Sequence, residues 1–169
     1  MTAPPSARGR KSRLVRAGEE PPDVLVVIRA APADREAAVD AMVEDAELSA
    51  RQYVAEAVLG SREVLYGVSM FARRPGVEVA AVLDRFTGAP AYLEVAVGDL
   101  RGAGLGVYAT GANPDHFDVQ LIGGLREGDP AASAADLRDA AVRVLTVGGS
   151  LKPNPAYAGD TAESSQEDR

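Results

Sequence analysis

The sequence predicts an α+β fold: a single small domain in which helices pack on a mixed β-sheet, with a late β-hairpin. Three observations predict it. A β-branched run, Val24-Leu25-Val26-Val27-Ile28, follows two prolines. Apolar residues then recur at helical spacing, and later two short apolar segments face each other across Gly111-Ala112-Asn113-Pro114. The chain has 169 residues, room for one domain with a real core.

The run Val24–Ile28 reads as a strand buried on both faces and therefore central in its sheet, ending at Arg29. Pro32, Asp34 and Glu36 suit a helix start, the acids favouring the positive end of its dipole. Val39, Met42, Val43 and Ala46 form one face of that helix. Leu48, Val54 and Val58 continue the pattern less cleanly, so a break or second helix is expected near Glu47–Ser49, with Gly60 as terminator. Glu63 to Ala72 alternates as a second strand. Arg73-Arg74-Pro75-Gly76 turns the chain into a helical stripe of Val79, Val82, Leu83 and Phe86. A short strand to about Ala96 passes into a short helix ending at Gly102-Ala103-Gly104. The hairpin spans Leu105 to Ile122. Ser133 caps a last helix with face Leu137, Ala141, Val144 and Leu145, closed by Gly148-Gly149. Helices between the early strands suggest parallel neighbours, with the hairpin adding an antiparallel pair.

Residues 1–22 read as a disordered basic arm, 23–149 as the globular body and 150–169 as a disordered acidic tail. Residues 1–20 carry a net +3 and residues 151–169 a net −2, so the body holds −8 of the total −7. So acidic a body suits no broad phosphate-backbone surface, and nucleic acid is expected only through the basic segment 8–16. There is no cysteine and one histidine, which excludes disulfides, cysteine nucleophiles and multi-histidine zinc sites. No cofactor is expected, because neither glycine cluster (Gly102–Gly106, Gly123-Gly124) matches a phosphate-binding loop, and no metal is expected, because the grouped carboxylates Glu36, Asp40 and Glu44 read as a helix stripe. No apolar run approaches the roughly 20 residues of a membrane span, and a cytoplasmic location is expected.

Candidate chemistry centres on His116. Strand alternation puts His116, Asp118 and Gln120 on one face, and Phe117, Val119 and Leu121 on the buried one. His116 and Asp118 then line a cleft if a helix or tail covers them; otherwise His116 is a surface turn residue bonded to Asp115 or Asn113. Ser69, two residues after Gly67, is a candidate nucleophile, with Tyr66 assisting, if its strand neighbours that of His116. Arg29, Arg73 and Arg74 fall at strand ends and are candidates for holding a phosphate or carboxylate. Glu36, Asp40 and Glu44 form an acidic helix stripe, a face for a basic partner.

Two functions follow. The first is a small binding or regulatory protein acting through protein–protein contact or self-association. The alternative is a toxin-like enzyme, an RNase or nucleotide-dependent transferase, with His116 as acid–base group and arginines on phosphate. Convergence of His116, Ser69 or Tyr66, and an arginine in one cleft separates them.

Overall fold

The computed structural model describes residues 10–13, 15–16, 19–56 and 62–159. The strand predicted at Val24–Ile28 runs as Val26–Ala31 (β2) and lies inside a six-stranded sheet. Its start is displaced because Leu25 N–H turns back to Pro22 O, leaving Val24 exposed. Arg29 does not end it: Arg29, Ala30 and Ala31 pair with Leu93, Tyr92 and Ala91 of Ala91–Ala96 (β6). On its other side β2 pairs with Gly67–Arg73 (β5). Both pairings are antiparallel, against the expectation of parallel early neighbours. Between β2 and β5 the chain runs through an 18-residue helix and then two further strands before entering β5 in the opposite direction, and only a four-residue helix lies between β5 and β6.

The hairpin forms as predicted, from Gly106–Ala109 (β7) and His116–Gln120 (β8). Strand β8 also pairs with β5, so that Ser69 opposes Asp118 and Phe71 opposes His116. Lys152–Pro153 (β9) closes the far edge on β6, within the stretch expected to be a disordered acidic tail. Asn154 fixes this return by donating to Phe86 O and Ala89 O. The remainder of that tail, from Asp160, lies outside the described residues.

Helices Arg35–Gln52 (α1) and Ala134–Gly148 (α4) cover one face of the sheet. Asp34 caps α1 by accepting from Ala37 N, and Ser133 caps α4 by accepting from Asp136 N. Val39, Met42 and Ala46 of α1 and Leu137, Ala141, Val144 and Leu145 of α4 are buried against Val27, Val68, Met70, Val95, Phe117 and Val119. The short helix after β6 runs Val97–Gly102 (α3), as expected. The other predicted stripe is helical only over Val79–Val82 (α2), and Leu83 seals a small second cluster with Ile28 and Tyr92. On this reverse side Phe86 packs on Phe71, ring centroids 5.5 Å apart.

No break occurs at Glu47–Ser49. Helix α1 continues to Gln52, and Tyr53–Glu56 then becomes a strand (β3), so Val54 is a strand residue. Val58 and Gly60 lie outside the described residues. Strand β3 pairs with Arg62–Val64 (β4) and, in parallel, with Lys11–Arg13 (β1). A segment expected to be structureless thus contributes a strand. Val15 bridges to Thr110 just beyond it. Arg8, at the start of the basic segment, lies outside the described residues. The result is one α+β domain with a six-stranded antiparallel sheet and a three-stranded mixed one.

Candidate functional site

The reverse face of β8 carries His116 and Asp118, and both are buried, at 8% and 1% exposure. The N-terminal arm reaches across them. His116 is not a surface turn residue, although Asn113 and Asp115 do form the expected turn, with Asp115 N donating to Asn113 Oδ1. Its ring instead meets side chains from three other strand segments. Nε2 lies 3.1 Å from Ser69 Oγ on β5 and 3.4 Å from the Arg13 guanidinium on β1. Nδ1 lies 3.0 Å from Thr110 Oγ1 and 3.2 Å from Thr110 O, beyond the end of β7. The Phe71 ring stands edge-on to the imidazole, 5.4 Å between centroids.

These contacts fix the imidazole tautomer. Thr110 Oγ1 donates to Asp118 Oδ2 at 2.7 Å, so its hydroxyl proton is spent and it accepts from His116. Thr110 O only accepts, so Nδ1 carries the ring proton. Nε2 is therefore the free lone pair, and it accepts from the Ser69 hydroxyl at the shorter distance. A chain runs Ser69–His116–Thr110–Asp118, with Asp118 further paired to Arg13 Nε at 3.3 Å. Burial lowers the His116 pKa from its ordinary value of 6.5. Asp118 opposes that shift; Arg13 and Arg16 reinforce it. The imidazole is neutral at neutral pH and available as a base.

The surroundings hold each member in place. Gly67 faces Asp118, and a Cβ there would stand 3.0 Å from the carboxylate carbon. The glycine two residues before Ser69 is thus what lets the carboxylate lie flat against β5. Strands β2 and β5 part after Ile28–Phe71, which frees the backbone of Ser69 on that side. Asp45 Oδ2 on α1 takes the Ser69 N–H at 3.0 Å, Arg29 donates to Ser69 O at 3.0 Å, and the two side chains pair at 2.8 Å. A split in the sheet therefore presents Ser69, half-buried, with its backbone clamped.

The loop between β7 and β8 is held by one side chain. The Arg16 guanidinium donates to the carbonyls of Thr110, Gly111, Asn113, Pro114 and His116 at 2.7–3.3 Å. Its own N–H reaches Ala109 O, and Glu19 pairs with it from outside.

Of the residues singled out in the sequence, Ser69, His116 and Asp118 come together and the rest do not. Tyr66 lies on the helix side, its hydroxyl accepting from Ala132 N. Arg29 braces Ser69 from behind. Arg73 pairs with Glu94 and Arg74 with Asp115, and both border a groove of about 420 Å³ with Val24, Leu25 and Val77, beyond the end of β5. The arginine at the imidazole is Arg13, which composition had assigned to the arm. Thr110 acts within the predicted hairpin, six and eight positions from His116 and Asp118, where its hydroxyl has no motif of its own, and Asp45 acts through a contact to Ser69 that is 24 positions away. Among the described residues no cluster of three His, Asp or Glu side chains is placed to hold a metal, and no helix is long and apolar enough to cross a membrane.

The imidazole, hydroxyl, carboxylate and guanidinium gathered here are the parts a nucleophilic hydroxyl needs: a base, an orienting group behind it and a positive charge beside it. No protein-family model matches the chain, and no curated protein or solved structure matches it either, so this geometry carries the functional argument alone.

Proposed function

We propose that this protein is a small enzyme that transfers or hydrolyses an ester through the Ser69 hydroxyl. The observation that carries the reading is the 3.1 Å contact between Ser69 Oγ and the unprotonated Nε2 of His116. As Ser69 Oγ bonds to the electrophilic carbon or phosphorus, its proton passes to Nε2. The bond to the leaving oxygen then breaks and that oxygen takes the proton from Nε2. Water, or an acceptor hydroxyl, attacks next, again giving its proton to Nε2, and Ser69 regains its own. Arg13 supplies positive charge beside the reacting centre. The Ser69 N–H cannot do so, being held by Asp45.

The alternative, a protein-binding surface on the acidic helix stripe, finds less support. Glu36 and Asp40 are both engaged by Arg138 from α4. The arm is a poor nucleic-acid binder for the same reason: Arg10, Arg13 and Arg16 bond inward, to Ala50 O, Asp118 and the hairpin loop. A second enzymatic reading shares the base. An RNase would use Nε2 on a ribose 2′-hydroxyl, with Arg13 on the phosphate. Burst kinetics with an activated p-nitrophenyl ester test the first reading. A stoichiometric burst is expected from the wild type and none from Ser69→Ala or His116→Gln. RNA cleavage that survives Ser69→Ala would transfer the argument to the second reading.

A further inference from the structure

Arg85 stands beside this site and takes no part in the network just described. It follows α2 and is exposed, and its guanidinium lies 4.8 Å over the Phe71 ring and 6.0 Å from that of Phe86. Phe71 is the residue whose edge meets His116, and it is two positions along the same strand face from Ser69. Arg85 is thus one aromatic ring away from the imidazole.

Arginine use in this chain makes that placement informative. Arg13, Arg16, Arg29, Arg62, Arg73, Arg74, Arg101 and Arg138 each pair with a carboxylate, and Arg10 and Arg143 reach carbonyls. Among the described residues Arg35, Arg51 and Arg126 share with Arg85 the lack of such a side-chain partner, but of these four only Arg85 lies over an aromatic ring. Arg85 has neither a carboxylate nor a carbonyl partner among the described residues. The contact places the guanidinium over the Phe71 ring, with Phe86 more distant, and spends none of its N–H donors on a carboxylate or carbonyl. A planar fork seated over a ring with its donors unspent is suited to bidentate recognition of a carboxylate or phosphate. In a body of net −8, an unneutralised cation on the rim of the site also sets the sign of the ligand that approaches it.

We propose that Arg85, seated on Phe71, binds an anionic group of the substrate, so that the site takes esters carrying a carboxylate or phosphate about one ring's width from the bond that reacts at Ser69. The proposal rests on the reading of Ser69 and His116 as the reacting pair. It gives Arg85 a role in binding and specificity, without contact to the reacting atoms.

The test compares two esters with one leaving group, p-nitrophenyl acetate and mono-p-nitrophenyl succinate, on the full-length protein. The wild type is expected to prefer the anionic ester by about tenfold or more in kcat/KM, and the preference is expected to fall at least fivefold in Arg85→Gln. The loss should appear in KM, with turnover of the neutral ester unchanged and Arg85→Lys intermediate. A phosphate-bearing ester of the same leaving group, run alongside, separates the two anions. An unchanged preference in Arg85→Gln, with both esters still turned over, overturns the assignment of Arg85 and leaves Ser69 standing. Turnover of neither ester by the wild type overturns both.

Discussion

Ser69 and His116 lie 47 positions apart in sequence and meet at 3.1 Å, Oγ to Nε2, because β5 and β8 are antiparallel neighbours. Their side chains share the face of the sheet opposite α1 and α4, where β1 and the hairpin loop close over them. The proton on Nδ1, held by Thr110, leaves Nε2 as the acceptor. This one relationship turns a lone histidine into a candidate base.

The pH dependence follows from the burial of the ring. His116 must be neutral to accept a proton, and its pKa is lowered by desolvation, with Arg13 and Arg16 adding to the shift and Asp118 opposing it. Ester turnover is expected to rise on an acid limb with a midpoint below 6.5 and to be flat above it. Stability should carry the same sign. The unfolded chain binds a proton at His116 at a higher pH than the folded one, so the contribution is complete above 6.5 and is lost as pH falls through the lower folded value. Denaturant titrations across this range check it against His116→Gln, which should lose this part of the slope.

Thr110 is wholly buried and links the ring to Asp118. Thr110→Val keeps its shape and removes the hydroxyl, leaving Asp118 short of one donor. A loss of about 1–3 kcal/mol is expected, read by urea denaturation. Turnover should drop by about tenfold in kcat as the imidazole loses its fixed orientation, and Thr110→Ser should restore most of both.

Arg16 organises the hairpin loop by meeting five carbonyls at once. Arg16→Ala is expected to cost about 2 kcal/mol, and Arg16→Lys should recover little, because an ammonium cannot reproduce the fork. Hydrogen exchange is the discriminating measurement. Protection should fall first over residues 110–116, before β5 or α4 responds.

The elements set by local pattern were legible in the sequence. β2 announced its central place by its β-branched run, the hairpin by its turn residues, and α4 by Ser133 and Gly149 at its two ends. What depended on distant partners was not. Lys11–Arg13 has no periodicity of its own and becomes a strand only because Tyr53–Ala55 lies beside it. The end of α1 was blurred for the same reason, since Val54 fits both a helix face and a strand. Ser69, His116 and Asp118 could each be named as candidates, but their convergence required the order of the sheet. Arg13 and Arg16 resembled a solvated arm by composition, and only the tertiary fold turns them inward onto Asp118 and the loop. Gly67 gave the nearest hint, as a glycine beside the serine whose missing Cβ makes room for the carboxylate.

Covalent labelling tests the central claim most directly. A fluorophosphonate reacts with a serine hydroxyl only when a base raises its nucleophilicity, and peptide mass spectrometry reports which residue carries the phosphonate. A single adduct on Ser69 in the wild type, at least a hundredfold slower in His116→Gln and absent in Ser69→Ala, is the predicted result. Labelling of Ser69 at the same rate with and without His116, or no labelling of the folded wild type, would contradict the account.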